Sequence, residues 1–321
     1  MGKKSIIFSV DDRLNLRDDV VAYIRGRLKK IHKGTMTNRV FKDGEVNVNF
    51  QDTVRGRRVY LLTSPNSAVE REKLIFSIDA ARRASAREIV VVLPYYPYAR
   101  QDKMDQPRGA IGAKVWADIY EMLGADKVIT LELHAEQIQG FFSIPVTHIK
   151  GKYLFADYVA DKVKEHGNVA LAAADTGGGK RLEKMAELVH KRHNLDLPMV
   201  FAHKTRIEDN AVEKMRVIGD VSGKYVIFLD DMLDTGGTLC AAADAVMNEG
   251  AIGCEGIVTH VVASGDAIAN IEGSQLNTLL GSNSLIIPSH EKFSELSIAS
   301  EIGKAIIAED YNLSHNKLQE G

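Results

Sequence analysis

Short apolar runs alternate with longer amphipathic ones along most of this chain. The runs Ser5–Ser9, Arg58–Thr63, Glu88–Leu93, Lys127–Leu131, Val169–Ala172, Met199–Ala202, Tyr225–Leu229 and Gly256–Val262 have the length and apolar character of strands. Several show almost no polar alternation, as strands covered on both faces do. Between them the spacing predicts helices over Glu70–Ala84, Ala113–Leu123, Gly151–Glu165, Lys180–His190 and Leu239–Asn248. Alternating strands and helices predict an α/β fold of mostly parallel sheets flanked by helices. The pattern starts afresh after about Lys150, so two similar α/β domains are expected, residues 1–150 and 151–321. The polar tail Ser314–Gly321 is expected to fray.

Composition narrows this picture only a little. The 321 residues suffice for one or two domains, and 45% apolar with 26% charged residues is ordinary for a globular chain. Lys plus Arg number 41 against 43 Asp plus Glu, a net charge of −2, which argues against a general nucleic-acid partner but leaves room for a local basic patch. No stretch reaches the roughly 20 apolar residues of a membrane span, and the start Met1–Phe8 is too short in its apolar part for a signal peptide. Cys240 and Cys254 lack a CxxC pattern and read as buried, reduced thiols. A cytoplasmic protein with no membrane partner is expected.

The densest chemistry lies in Val226–Leu239. An apolar strand ends in Asp230 and Asp231, and the turn Asp234-Thr235-Gly236-Gly237-Thr238 leads into a helix. Glycines let the backbone approach an anion, the helix start favours negative charge, and Thr235 and Thr238 add hydroxyl donors. Asp230 and Asp231 can accept from sugar hydroxyls. No Gly-Lys-Ser/Thr follows, so this is not a Walker A loop. Taken alone, the segment is also an ordinary strand-turn-helix joint; the acids and the Thr-Gly-Gly-Thr run favour a sugar phosphate.

The segment resembles the phosphoribosyl diphosphate motif, which type I phosphoribosyltransferases and ribose-phosphate diphosphokinases share. Three N-terminal segments resemble the second family. Arg39–Glu45 is similar to its Phe-x-Asp-Gly-Glu segment; the resemblance implies that Phe41, Asp43 and Glu45 receive ATP bound mainly by a neighbouring subunit. Phe41 can stack on adenine, and Asp43 and Glu45 can accept hydrogen bonds. Leu93–Lys103 is similar to Pro-Tyr-x-x-Tyr-Ala-Arg-Gln-Asp, which implies ATP contacts for Arg100, Gln101 and Asp102, with Arg100 suited to phosphates by its fork. Val128–Pro145 is close to the family's most distinctive stretch and implies an ATP and Mg2+ role for His134.

Two further segments lie in the C-terminal half. Ala173–Arg181 resembles the Asp-x-Gly-Gly-x-Lys-Arg loop, making Asp175 the better metal carboxylate. His203–Asn210 resembles the catalytic Lys-x-Arg loop; Lys204 and Arg206, two apart, face one side if the loop is extended.

The matches run in the family's order from Phe41 to Thr238. They imply two type I phosphoribosyltransferase-like domains, each a mostly parallel sheet flanked by helices. The implied reaction moves the β,γ-diphosphate of ATP to the C1 hydroxyl of ribose 5-phosphate, with Mg2+ as cofactor and Lys204 and Arg206 as catalytic residues. Arg206, Asp230, Asp231, Asp234, Thr235, Gly236, Gly237 and Thr238 are the implied ribose 5-phosphate contacts, and a dimer-based homo-oligomer, a hexamer in the family, is the implied assembly. Glu132, Ser143 and Thr147 stand where the family usually has Asp, so no second cation is assigned there. Thr205 and Thr176 also depart from the common residues without removing these groups. The competing readings are a non-catalytic regulatory subunit of a diphosphokinase complex and a type I phosphoribosyltransferase.

Overall fold

The computed structural model describes residues 5–10, 15–27, 30–205 and 214–320. They form two compact units, one of residues 1–150 with 297–321 and the other of residues 151–296. The expected second domain ran to residue 321; its last segment instead belongs with the first unit.

The first unit holds strands β1 (Ser5–Ser9), β2 (His32–Lys33), β3 (Met36–Val40), β4 (Val46–Phe50), β5 (Arg58–Leu62), β6 (Glu88–Leu93), β7 (Lys127–Leu131) and β8 (Val146–Ile149). Its sheet has the order β2-β1-β5-β6-β7-β8, parallel throughout, while β3 and β4 form a separate antiparallel hairpin. Helices α1 (Leu16–Gly26), α2 (Ala68–Arg83) and α3 (Gly112–Leu123) accompany it. Ser67 caps α2 with a full capping box, accepting from the Glu70 N–H while the Glu70 carboxylate accepts from the Ser67 N–H. Ile6, Phe8, Val59, Leu61, Val91 and Leu93 pack with Leu74 and Ile78 of α2 and Tyr120 of α3. The alternate residues Ile7, Tyr60, Val90, Val92 and Ile129 are equally buried, which is why these strands read as unbroken apolar runs.

Numbering the C-terminal helices α8 (Ala299–Tyr311) and α9 (His315–Glu320), α8 packs on α1. A Cβ on Gly303 would lie 2.4 Å from Tyr23 Cδ1, so only glycine lets the two helices approach this closely. Asp310 accepts from Ser5 Oγ at 2.8 Å, Tyr60 Oη at 2.8 Å and Arg58 Nη1 at 3.0 Å, and Glu309 Oε2 accepts from Lys127 Nζ at 2.6 Å. These bonds explain why the chain's end joins its beginning. In the tail that was expected to fray, His315–Glu320 is helical, and Gln319 is buried and donates to Glu301 Oε2 of α8 at 3.1 Å.

The second unit holds α4 (Lys152–His166), β9 (Val169–Ala173), α5 (Gly179–His193), β10 (Met199–Thr205), β11 (Lys214–Ile218), β12 (Tyr225–Leu233), α6 (Gly237–Asn248), β13 (Gly253–Val261), α7 (Ala267–Gly273), β14 (Thr278–Ser282) and β15 (Phe293–Leu296). The sheet order is β11-β10-β9-β12-β13-β14-β15, parallel except for the β10–β11 pair. Its two faces are separate cores: Val226, Phe228 and Val258 lie with Leu239, Ala242 and Val246 of α6, and Leu171, Ile227 and Ile257 with Phe155 and Val159 of α4 and Leu182 and Met185 of α5. Cys254 is fully buried and its thiol is pushed up to about 12 by that burial. Cys240 is only half-buried, because it lies near the start of α6 and donates to Asn270 O. Among the described residues no helix is long and apolar enough to cross a membrane.

Candidate active site

In the second unit the candidate residues gather at the carboxyl ends of β9 and β12. β12 continues past the expected Leu229 to Leu233 and so carries Asp230 and Asp231 as strand residues. Arg181, in the first turn of α5, donates Nη1 to Asp230 Oδ1 at 2.8 Å and Nη2 to Asp231 Oδ1 at 2.7 Å. Successive strand side chains diverge, yet one planar fork spans both, helped by Asp230 Oδ1 folding back to accept from the Asp231 N–H at 2.8 Å. Burial pushes the Asp230 carboxyl up to about 7; the Arg181 charge opposes this and the Asp231 charge adds to it.

The turn follows directly. Gly236 is the N-cap of α6 at φ 78°, a left-handed conformation suited to glycine. Thr235, Gly237 and Thr238 are exposed and Asp234 is half-buried. The first N–H groups of an α-helix lack partners inside it, so the α6 start carries donors and a partial positive charge.

Asp175 follows β9 and is exposed, with its Oδ1 accepting from the Gly178 N–H at 3.0 Å as the cap of the turn Thr176–Gly178. The turn is tight: a Cβ on Gly178 would lie 2.7 Å from the Ala173 Cβ. Lys204 lies inside β10 rather than beyond it, its backbone paired with Met215 of β11. The strand extension was hidden in the sequence because an edge hairpin needs no continuous apolar run. Arg206 lies outside the described residues.

In the first unit, Phe41, Asp43 and Glu45 are exposed at the tip of the β3–β4 hairpin. The tip is closed by Phe41 N–H to Glu45 O at 2.8 Å, by Gly44 N–H to Phe41 O at 3.0 Å and by Glu45 N–H to Asp43 Oδ1 at 3.1 Å. The Arg39 guanidinium lies 5.3 Å from the Phe41 ring centroid. These contacts all stay within the hairpin. Arg100 and Gln101 are exposed and Asp102 half-buried in the loop after β6, and His134 is exposed after the neighbouring strand β7. Gln137 Nε2 donates to Asp102 Oδ2 at 3.0 Å and so joins the Arg-Gln-Asp segment to the His134 segment. Among the described residues no three His, Cys, Asp or Glu side chains converge as a metal cluster.

Sequence reasoning missed three residues. Arg181 had a signal, its place at the end of the Gly-Gly-Gly-Lys-Arg run. Ser264, which donates to the Asp234 carboxylate, and Asn270, which donates to Thr235 O at 2.8 Å, had none, because they come from a separate segment.

Comparison with known proteins identifies the family. Residues 5–124 match the N-terminal domain of ribose phosphate pyrophosphokinase, and residues 165–316 match a phosphoribosyl synthetase-associated domain. Ribose-phosphate pyrophosphokinase 1 of Streptococcus pyogenes serotype M3 is 40% identical over 284 residues, covering 86% of this chain and 87% of that one. The ribose-phosphate pyrophosphokinase of Oceanobacillus iheyensis is 39% identical over 307 residues, 94% of this chain and 92% of that one. The crystal structure of phosphoribosylpyrophosphate synthetase from Mycobacterium smegmatis superposes with a TM-score of 0.86 at 32% identity, covering 97% of this chain and all of that one. With both sheets, the acid pair and the phosphate-type turn in place, the chain belongs to the ribose-phosphate pyrophosphokinase family and is an enzyme of that class.

Proposed function

We propose that the chain transfers the β,γ-diphosphate of ATP to the C1 hydroxyl of ribose 5-phosphate, giving 5-phosphoribosyl 1-diphosphate and AMP for nucleotide and NAD precursor synthesis. The observation that carries this reading is the end of β12, where an acid pair held by one guanidinium stands next to a glycine turn and a helix start. One part suits a vicinal diol and the other a phosphate, as a sugar phosphate requires.

The turn Asp234–Thr238 holds the 5-phosphate, and Asp230 and Asp231 accept from the 2- and 3-hydroxyls. Arg100, Gln101, Asp102 and His134 hold ATP, and the exposed hairpin residues Phe41, Asp43 and Glu45 reach the ATP of a neighbouring copy in a dimer-based oligomer. Lys204 and Arg206 neutralise charge as it builds on the transferred group, so catalysis rests on positioning and electrostatics. In the second unit Asp175 offers an exposed carboxylate oxygen, the donor type Mg2+ takes while keeping several waters; in the first unit the exposed His134 imidazole is the weaker candidate, because Mg2+ prefers oxygen. The chemistry such a cation would supply is neutralisation of the ATP phosphates. The two free cysteines support a reducing, cytoplasmic setting.

Product analysis tests the reading. Purified protein with Mg2+, ATP and ribose 5-phosphate should yield equal AMP and phosphoribosyl diphosphate, with phosphate added in a parallel reaction. ADP as product would mean an ordinary kinase, and no turnover would favour a regulatory subunit.

A further inference from the structure

The turn Asp234–Thr238 is shaped from behind. β13 runs beside β12 with Leu233 opposite Val261, and the residues after β13 continue to follow the turn. The Val262 and Ala263 N–H groups donate to Leu233 O at 2.9 and 3.1 Å, and the Ser264 N–H donates to Asp234 O at 3.1 Å. Ala263 reaches this position at φ 49°, a conformation that L residues rarely adopt. The Ser264 hydroxyl donates to the Asp234 carboxylate, and Asn270 of α7 donates Nδ2 to Thr235 O at 2.8 Å.

Three successive carbonyls, of Leu233, Asp234 and Thr235, are thus drawn toward the segment 262–270. A trans peptide is planar, with its C=O and N–H pointing opposite ways, and no described peptide is cis. The N–H groups that follow, of Asp234, Thr235 and Gly236, therefore face away from that segment. Successive N–H groups turned to one side form an anion-binding concavity. α7 is itself anchored: Lys292 Nζ spends its three donors on Ile271 O, Glu272 O and Ser274 O at 3.1, 2.9 and 2.8 Å, at the negative end of the helix.

We propose that Ser264 and Asn270 are positioning residues that aim the backbone N–H groups of this turn at the 5-phosphate, with Lys292 fixing the helix that carries Asn270. The inference rests on reading Asp234–Thr238 as the ribose 5-phosphate cradle. Neither side chain need touch the sugar phosphate; each acts through a carbonyl or carboxylate of the turn.

The test compares wild type with Asn270→Ala, Ser264→Ala, Ser264→Thr and Lys292→Met. Ribose 5-phosphate binding is measured by calorimetry, KM for each substrate and kcat by steady-state kinetics, and Tm by scanning calorimetry. Losing one such hydrogen bond should weaken ribose 5-phosphate about three- to tenfold in the alanine variants, with KM for ATP within about twofold. Ser264→Thr, which keeps the hydroxyl, should bind as wild type does. Lys292→Met should shift ribose 5-phosphate in the same direction by less, and it reports even if Asn270→Ala does not fold. Unchanged ribose 5-phosphate affinity in the alanine variants, or an equal loss for ATP, overturns the inference while leaving the reaction intact. A wild-type protein that neither binds ribose 5-phosphate nor forms AMP removes the cradle reading, and this inference with it.

Discussion

Arg181 Nη1 meets Asp230 Oδ1 at 2.8 Å, from a helix start to a strand end 49 residues away. The same guanidinium holds Asp231, so the two acids titrate as a pair. Burial lifts Asp230 to about 7, and below that pH the pair keeps a proton and loses an acceptor for the sugar. kcat/KM for ribose 5-phosphate should therefore rise with pH through about 7. Asp230→Asn should remove that ascending limb, and a flat wild-type profile from pH 6 to 8, about one unit either side, would count against it. For folding the sign is opposite. A raised carboxyl holds its proton more tightly in the folded chain, so its stabilising contribution is full below the ordinary Asp range and is lost as pH rises through about 7.

Replacing Arg181 takes away the opposing charge. In Arg181→Met the ascending limb should move to higher pH, and stability at pH 8 should fall by about 1–3 kcal/mol, because Asp231 is left buried without its guanidinium. Denaturant melts at pH 6 and 8 measure this, and the loss should be larger at pH 8. An equal loss at both would assign Arg181 to packing alone.

Lys204→Ala should lower kcat by about a hundredfold or more while KM for ribose 5-phosphate changes little, as expected for a group whose interaction strengthens in the transition state. Steady-state kinetics decides it: a rise in KM with kcat intact would make Lys204 a binding residue.

The Arg58–Asp310 pair should matter to stability rather than to turnover. Arg58 is buried, with Glu88, Glu309 and Asp310 around it, and Tyr60 also donates to Asp310. Asp310→Ala should cost about 2–3 kcal/mol, read as a lower Tm. A loss under about 0.5 kcal/mol would reduce the cluster to a surface ion pair in effect.

Much of this was legible in the chain itself. Ser5–Ser9, Glu88–Leu93 and Lys127–Leu131 form strands with the bounds their apolar runs predict, because central parallel strands are apolar on both faces. The β3–β4 hairpin and β11 gave no such run, since exposed antiparallel ribbons carry polar residues on at least one side. Asp230, Asp231 and the glycine turn were readable because they are contiguous. Arg181, Ser264 and Asn270 act on them from 49, 30 and 35 residues away, a relation that only the sheet order creates. Where α8 docks was not readable at all: it is buried almost all round, and an apolar run does not say against which unit.

That docking imposes an order on the making of the protein. Synthesis delivers the whole sheet of the first unit early, with Arg58 and Tyr60 already in it, but their partner Asp310 follows only after the entire second unit. The second unit, drawn from residues 151–296 alone, has all its strands before α8 is made. The nascent chain can therefore complete its second unit before its first, and the first unit must wait, with buried-to-be polar groups unsatisfied, until α8 has left the ribosome.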